Sequence, residues 1–235
     1  MKRLFLLVAA LLLLPAGPSA IAGQTRAAPN WATTVVLTPE GGFRQGNPNA
    51  PVKLVEYGSR TCPICGRFAA EGVPELRSKY VATGKVSYEY RDFLIHGPPD
   101  FALALLNQCV PTPRFFAVLD AIYAHQPAFA AKLEQLEKTR SAELTAWQKL
   151  PPAQMATRFA EALGFIPFMK AHGVTEVRAR QCLADPALIK RIAQTNAGAV
   201  NNQEISGTPA FIINGRVMRA YDWLRLQPEL WAAGA

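Results

Sequence analysis

Two cysteines separated by two residues lie where a predicted strand meets a predicted helix. The strand is the alternating segment 52–57, and an amphipathic helical pattern covers residues 68–80. The motif between them reads Cys-Pro-Ile-Cys, from Cys62 to Cys65, so Cys62 lies near the N-terminus of the helix. Free backbone N–H groups and the helix dipole stabilise a thiolate at such a position. The pattern therefore predicts a reducible disulfide and thiol–disulfide exchange.

The same spacing also supplies half of a zinc site. A structural zinc ion takes four ligands, usually from two such pairs. The chain has no second pair, because Cys109 and Cys182 stand alone and the three histidines have no ligand spacing. We therefore expect no metal and no other cofactor. Metal binding through Cys62 and Cys65 remains the alternative from a different functional class, and a purely structural local disulfide is a further one.

The N-terminus has the pattern of an export signal. Lys2 and Arg3 precede an apolar run at residues 4–14, and small residues before and at Ala22 form a cleavage pattern. We expect residues 1–22 to be removed and the remaining chain to be periplasmic or secreted. If the segment is retained, it would anchor the protein to the membrane, although the apolar run is short for a span. Export places the cysteines in a compartment where disulfides persist.

The charge of the chain does not indicate a nucleic-acid site. The formal net charge is +8, but the basic residues are scattered and are not interleaved with aromatic residues. After the export signal, no apolar segment reaches the length of a membrane span without charges. We expect a soluble monomer that binds no nucleic acid.

The order of predicted elements indicates an α/β protein with a long helical interruption. Strands are predicted at 33–37, 52–57, 86–90, 210–213 and 216–218. The helix between the second and third strands implies a parallel crossover. Asn214-Gly215 is typical of a two-residue hairpin turn. Helical patterns fill the region from 101 to 202, between the third and fourth predicted strands, and a last helix is predicted at 221–231.

The chain resembles the DsbA family of secreted disulfide oxidoreductases, within the thioredoxin superfamily. The resemblance rests on the motif at the strand–helix junction, on Gly207-Thr208-Pro209 before the hairpin, and on the helical interruption. It implies a thioredoxin-like fold in which an all-helical domain is inserted between a βαβ half and a ββα half. The expected domains are a leader with the first strand at 23–44, a thioredoxin-like domain at 45–98 and 206–235, and a helical insertion at 99–205.

The resemblance also implies roles for individual residues. Cys62 and Cys65 would form the redox-active disulfide, with Cys62 as the exposed nucleophile. Pro209 would follow a cis peptide bond and turn the backbone of Thr208 toward the disulfide, where it pairs with a substrate segment. Glu56 matches a buried acidic residue beneath the motif and would accept or relay the Cys65 proton. A charged residue at a strand edge is the alternative for Glu56.

The remaining cysteines lie in the predicted insertion. An exported chain with an even number of cysteines favours a structural disulfide between Cys109 and Cys182, and some DsbA-like proteins carry a second pair at similar places. Two separate buried thiols are the alternative. His96, after the third strand, is interpreted as a loop residue and not as a catalytic one.

The implied function is formation of disulfide bonds in other proteins. The partners would be thiol-containing protein substrates and a DsbB-like membrane redox partner. Family oxidases commonly carry histidine at the position of Ile64 and valine at that of Thr208. Because isoleucine donates no hydrogen bond to the Cys62 thiolate, the resemblance predicts a weaker oxidant. A periplasmic reductase or isomerase with the same chemistry is therefore the alternative.

Overall fold

The structure is a computed structural model that describes residues 30–203 and 205–235. The predicted signal peptide at 1–22 and the first part of the predicted leader lie outside the described residues. Across the described ranges, no helix combines the length and apolarity needed to cross a membrane.

In the described residues, six strands form one mixed sheet. They are β1 (Val35–Leu37), β2 (Phe43–Gln45), β3 (Val52–Gly58), β4 (Val86–Asp92), β5 (Ala210–Ile213) and β6 (Arg216–Val217). Their order across the sheet is β1-β2-β4-β3-β5-β6. Strands β3 and β4 are parallel, and every other neighbouring pair is antiparallel. The predicted parallel crossover and the predicted hairpin are confirmed, and β3 lies in the interior of the sheet.

Strand β2 was not predicted. It contains three residues between glycine-rich turns, and Arg44 interrupts its apolar pattern. The strand exists because distant partners hold it on both sides, with Phe43 opposite Leu37 of β1 and opposite Tyr90 of β4. Strand β1 also begins later than predicted, because a 3₁₀ turn occupies Trp31–Thr33. A strand this short is not visible from its own sequence, since its hydrogen bonds come from remote segments.

The helix after the cysteine motif is shorter than predicted. Helix α1 spans Pro63–Glu71 and is followed by one α-helical turn, α2 (Val73–Glu75), and a π-helical stretch at Leu76–Val81. The prediction of one regular helix to residue 80 was wrong. Pro74 lacks an N–H group and therefore cannot continue the hydrogen-bond ladder of α1.

Six α-helices lie between β4 and β5 in the part of the chain that the structure describes. They are α3 (Pro98–Gln108), α4 (Phe115–Trp147), α5 (Pro152–Leu163), α6 (Phe165–Ala171), α7 (Glu176–Leu183) and α8 (Pro186–Gln203). The predicted helical insertion is confirmed, although it follows the fourth strand and not the third because β2 was missed. Cys109, at the C-terminal end of α3, forms a disulfide with Cys182 of α7, with a Cα–Cα distance of 5.9 Å and a sequence separation of 73.

Helix α4 begins against the sheet and extends beyond it. The Phe115 ring stacks on Phe43 of β2 with centroids 3.7 Å apart, and Phe116 packs against Tyr88 of β4. The helix contains Pro127 and continues to a kink at Arg140, where φ is −139°. The segments predicted at 115–123 and 129–150 are therefore joined across Pro127, and the break lies at Arg140, beyond which a second helical segment ends at Trp147.

The C-terminal helix contributes Leu226 and Leu230 to the same apolar core as α1 and the start of α4. Helix α9 (Trp223–Ala232) begins after Asp222, whose side chain accepts a hydrogen bond from the backbone N–H of Arg225 at 2.9 Å. This N-cap explains why the helix begins two residues later than predicted. The Trp223 ring packs near Phe68 of α1, so α9 lies against the helix that carries the cysteines.

Candidate active site

Cys62 is the N-cap of α1, and Pro63 occupies the first helical position. Proline is favoured there because its fixed φ fits the helix and its missing N–H would have no intrahelical partner. Cys65 lies one turn into the helix. Both cysteines are free thiols in the structure, so the site is in its dithiol form.

Both thiols are buried, which corrects one expectation. Only 3% of Cys62 and 0% of Cys65 is exposed. The prediction of a buried Cys65 is confirmed, whereas the prediction of an exposed Cys62 is wrong. The segment before β5 covers Cys62, since the Cys62 Sγ lies 3.3 Å from the backbone O of Thr208 and donates a hydrogen bond to it when protonated. Its neighbour Ile64 is 42% exposed and marks the outer surface of the motif.

The two thiols have opposite pKa displacements. Hydrogen bonding from the Cys65 thiol is the main cause that lowers the pKa of Cys62 to about 5, and it outweighs burial. The Thr208 hydroxyl and the backbone N–H groups of Cys65 and Ile64 add to this effect. Burial raises the pKa of Cys65 well above its usual range, and the nearby Cys62 and Glu56 raise it further. At neutral pH the pair is therefore one thiolate, on Cys62, and one thiol, on Cys65.

Thr208 and Pro209 lie directly over this thiolate. The Thr208–Pro209 peptide bond is cis. The next residue, Ala210, pairs with Tyr57 of β3. This strand pairing holds Thr208 and Pro209 near the end of β3, which leads to the cysteine motif. The Thr208 hydroxyl is buried near the Cys62 sulfur and has no other partner among the described residues. It is therefore available to the Cys62 sulfur.

Glu56 lies in the middle of β3 and is 1% exposed, so it is not a residue at a strand edge. The Tyr88 hydroxyl donates to its Oε2, and Oε1 has no hydrogen-bond partner among the described side chains and backbone. Burial raises its pKa to about 8, partly offset by the Tyr88 hydrogen bond. The carboxyl is thus mostly protonated at neutral pH.

A buried arginine precedes the motif and was not predicted as part of the site. Arg60 is 0% exposed and forms an ion pair with Asp92 at the end of β4. Its Nε donates to Asn107 of α3 at 3.0 Å, and its backbone N–H donates to Asp100 at 2.9 Å. Burial raises the pKa of Asp100 to about 7. These contacts hold the segment before Cys62 to both the sheet and the helical insertion.

Gln126 of α4 is a second residue that sequence reasoning missed. Its Nε2 donates to the backbone O of Arg60 at 2.8 Å and to that of Cys62 at 3.0 Å. A Cβ atom on Gly66 would lie 2.6 Å from its Oε1, so only glycine leaves room for it there. The available signal was a glutamine at a position of α4 that the apolar periodicity places inside.

His96 is in a loop, as interpreted, but it contacts the site. Its Nδ1 lies 2.9 Å from the Oγ1 of Thr61, the residue before Cys62. The Cys109–Cys182 disulfide joins α3 to α7 and is separate from this arrangement. Among the described residues, no group of three or more histidine, cysteine, aspartate and glutamate side chains has the geometry of a metal site.

A cysteine pair at a helix N-terminus, a cis-proline beside it and a parallel β-α-β unit define the thioredoxin class of folds. The sequence matches the family model described as Thioredoxin over residues 38–228, and the chain belongs to this family. The helices between β4 and β5 give it the architecture of DsbA structures within that class.

Solved structures and curated sequences show the same relationship. A protein-disulfide isomerase from Novosphingobium aromaticivorans is 33% identical, with a TM-score of 0.76 over 83% of this chain and 98% of that one. The alpha-DsbA1 structure of Wolbachia pipientis shares the fold, with a TM-score of 0.62 at 19% identity over 81% and 89% of the two chains. A relative from Rickettsia bellii, named as a protein-disulfide oxidoreductase, is 26% identical over 72% of this chain and 56% of its own. The chain thus spans about half the length of the curated relatives it matches.

Proposed function

We propose that the chain is an exported thiol:disulfide oxidoreductase that forms disulfide bonds in other proteins through Cys62 and Cys65. The observation that carries this proposal is the opposite displacement of the two thiol pKa values within one turn of helix. A stabilised Cys62 thiolate favours the dithiol form and therefore makes the disulfide form an oxidant. Relatives described as a protein-disulfide oxidoreductase and a protein-disulfide isomerase support the same chemistry.

The reaction transfers two electrons from a substrate dithiol to the protein. A substrate thiolate attacks the Cys62 sulfur of the Cys62–Cys65 disulfide, a mixed disulfide forms, and Cys65 leaves as a thiolate. A second substrate thiolate then attacks the substrate sulfur of the mixed disulfide, and Cys62 leaves as a thiolate. The substrate gains a disulfide, and the protein ends as the dithiol seen in the structure. Cys62 is a good leaving group because its pKa is low.

Glu56 would supply the proton that Cys65 needs in the first step. The Cys65 thiolate forms in the protein interior near the Glu56 carboxyl. Both burial and this carboxyl raise the pKa of Cys65, so the thiolate readily takes up a proton. With a pKa of about 8, Glu56 is mostly protonated at neutral pH and is suited to donate that proton and recover it later.

Thr208 and Pro209 would position the substrate segment. The cis bond turns the Thr208 backbone toward Cys62, and an extended segment that pairs with it brings its cysteine to the sulfur. The buried Thr208 hydroxyl would stabilise the Cys62 thiolate as it leaves.

A reductase is the second candidate, and Ile64 favours it. Its apolar and exposed side chain donates no hydrogen bond to Cys62. The dithiol form is therefore stabilised less than it would be by a histidine at this position. Hydrogen bonds from Cys65 and Thr208 to the Cys62 sulfur favour the oxidase instead, because they lower the pKa of Cys62 and so stabilise the dithiol form. We therefore favour the oxidase.

The compartment and the partners belong to the same proposal. The N-terminal pattern at 1–22 supports export to the periplasm or beyond, where substrate proteins are oxidised. Continuous turnover needs a membrane redox partner that takes two electrons from the dithiol form, as in the DsbB type. We propose that the protein acts on these partners as a monomer.

Trapping of mixed disulfides tests the assignment of Cys62. In the variant Cys65→Ser, Cys62 can still attack a disulfide, but no internal thiol releases the product. Incubation with a disulfide-bonded protein should give a stable covalent complex on a non-reducing gel, whereas Cys62→Ser should give none. Complexes formed by Cys62→Ser and absent from Cys65→Ser would contradict the assignment.

A further inference from the structure

A polar cavity of about 340 Å³ lies between the sheet and α8. Tyr57 of β3, Arg91 of β4, Arg191 of α8 and the turn at 39–41 line it. Tyr57 follows Glu56, which faces the cysteine motif, and successive side chains of a strand point to opposite faces of the sheet. The cavity therefore lies on the face opposite the motif, and its volume is in the range of small-ligand sites.

The sheet side of the cavity offers two hydrogen-bond donors. The Nε of Arg91 donates to Glu89 at 2.7 Å, and its Nη1 donates to the Tyr57 hydroxyl at 3.3 Å. Its Nη2 lies 3.8 Å from the Oε2 of Glu40, which is beyond hydrogen-bond distance. The Tyr57 hydroxyl accepts from Arg91, and its own proton has no acceptor among the described residues. Arg91 Nη2 and the Tyr57 O–H group are therefore available to a ligand.

Arg191 supplies a third donor from the helix side. Its Nε and Nη2 both donate to the Oε1 of Gln108, at 3.0 Å and 2.9 Å. The Nε2 of Gln108 in turn donates to Asp92, the ion-pair partner of Arg60. These contacts hold the Arg191 side chain in place, but they leave its Nη1 without an acceptor among the described residues. Arg191 also forms no ion pair within the described ranges.

Two consecutive glycines bring the arginines close to each other. A Cβ atom on Gly41 would lie 3.1 Å from the Cγ of Arg191, and one on Gly42 would lie 2.8 Å from the Cγ of Arg91. Consecutive Cα atoms are only about 3.8 Å apart. The two arginine side chains therefore flank one short piece of backbone and line the same cavity, where a single ligand can contact both.

The surroundings of the cavity carry an excess of positive charge. Side chains at alternate positions of a strand share a face, as do residues opposite each other in register, so Arg44 and Lys53 lie on the same face as Tyr57. Burial and the positive charge of Arg44 both lower the pKa of Lys53. The Nε of Arg44 is buried and has no partner among the described residues. Four basic and two acidic residues belong to this face of β2, β3 and β4 or to the cavity wall: Arg44, Lys53, Arg91, Arg191, Glu40 and Glu89.

We propose that this cavity binds a small oxyanion between Arg91 and Arg191, with the Tyr57 hydroxyl as a third donor. The ligand carries two or more acidic oxygens, because a guanidinium group binds carboxylate and phosphate through paired oxygens. Inorganic phosphate and a short organic dicarboxylate are the two sources of this chemistry. The proposal does not depend on the oxidase function, because the cavity and the cysteine motif lie on opposite faces of the sheet.

Titration of the full protein with sodium phosphate or sodium succinate tests the proposal. The backbone N–H signals of Gly41 and Gly42 and the side-chain Nε–H signals of Arg91 and Arg191 are followed by NMR, with sodium chloride adjusted to hold the ionic strength constant. We expect these signals to shift and to saturate with one dissociation constant, and the anion with the lower constant identifies the source. Shifts that stay linear with concentration for both anions would overturn the proposal.

Two variants of the cavity wall should change the dissociation constant in opposite directions. Arg191→Gln removes a charged donor and should raise the constant about tenfold, as expected for a hydrogen bond to a charged group. Glu40→Gln removes the carboxylate that competes for Arg91 and should lower the constant by about twofold to fivefold, the scale of an exposed ion pair.

Lys190→Gln is the matched control, because Lys190 is exposed and adjacent in sequence but does not line the cavity. It changes the net charge as Arg191→Gln does and should alter the dissociation constant by less than about twofold, since salt screens an exposed charge outside the cavity. Equal weakening by Lys190→Gln and Arg191→Gln would overturn the site, because it would reduce the effect to net charge. A dissociation constant that does not fall in Glu40→Gln would overturn it as well, and this exposed substitution leaves the contact between Arg191 and Gln108 in place.

Discussion

Replacement of Glu56 by glutamine should change how the stability of the protein depends on pH. The carboxyl has an ordinary pKa of 4.5 in the unfolded chain and a pKa of about 8 in the fold. The folded state therefore holds a proton that the unfolded state has released between these two values. Stability from this group is fully present below pH 4.5, falls as pH rises, and is lost once pH passes 8.

The magnitude follows from the size of the shift. Each pH unit in this window costs about 1.4 kcal/mol, so the wild-type protein should lose about 4 kcal/mol between pH 5 and pH 8 through this group alone. Glu56→Gln removes the titration but keeps an acceptor for the Tyr88 hydroxyl. In the variant, a buried amide group takes the place of Oε1, where no hydrogen-bond partner is present. This unpaired group should lower the free energy of unfolding by about 1–3 kcal/mol at every pH. The test is therefore how steeply the free energy of unfolding changes with pH, and not its value at a single pH.

Urea unfolding of the disulfide form at several pH values measures that slope. Oxidation removes the titration of Cys62 and Cys65, while burial, the main cause of the Glu56 shift, is retained. The difference in unfolding free energy between wild type and Glu56→Gln should shrink or reverse by about 4 kcal/mol from pH 5 to pH 8. Glu71→Gln, at an exposed position of α1, serves as the control. Parallel pH profiles for wild type and Glu56→Gln would refute the account of Glu56.

Three further predictions concern the rest of the molecule. Ile64→His should make the protein more oxidising, by about 30 mV for each tenfold change in the exchange equilibrium, as measured against glutathione; an unchanged potential would leave the helix terminus and Cys65 as the dominant causes. The double variant Cys109→Ala, Cys182→Ala should have a free energy of unfolding about 4 kcal/mol lower, because the disulfide no longer restricts a 73-residue separation in the unfolded chain. A loss below about 1 kcal/mol, measured by urea unfolding, would contradict this prediction. Gln126→Ala should cost about 2 kcal/mol, because two buried carbonyls lose their donor, and an unchanged urea midpoint would refute this assignment.

The part of the fold around the motif could be predicted because its signals are local. The alternation of 52–57, the Cys-Pro-Ile-Cys motif and the Asn214-Gly215 turn each specify their own structure. Strand β2 has no such signal, since Phe43 is held by Tyr90 and Leu37. The break after α1 was signalled by Pro74, but the apolar periodicity to residue 80 outweighed it.

The chemistry of the site was predictable, but its surroundings were not. Arg60 carries a charge that usually indicates a surface residue, and its partners Asp92 and Asn107 come from two other elements. Likewise, the burial of Cys62 depends on Thr208, which is remote in sequence. The separation into a thioredoxin-like domain and an insertion at residues 99–205 stays a prediction.

The pKa of the Cys62 thiol is the most direct test of the account. Titration of the dithiol form, followed by the ultraviolet absorbance of the thiolate, should show one ionisation near pH 5 that disappears in Cys62→Ser. No second thiolate should form at neutral pH, because burial raises the pKa of Cys65. A first ionisation near the ordinary value of 9.0, or one that persists in Cys62→Ser, would contradict the assignment of Cys62 as the reactive sulfur.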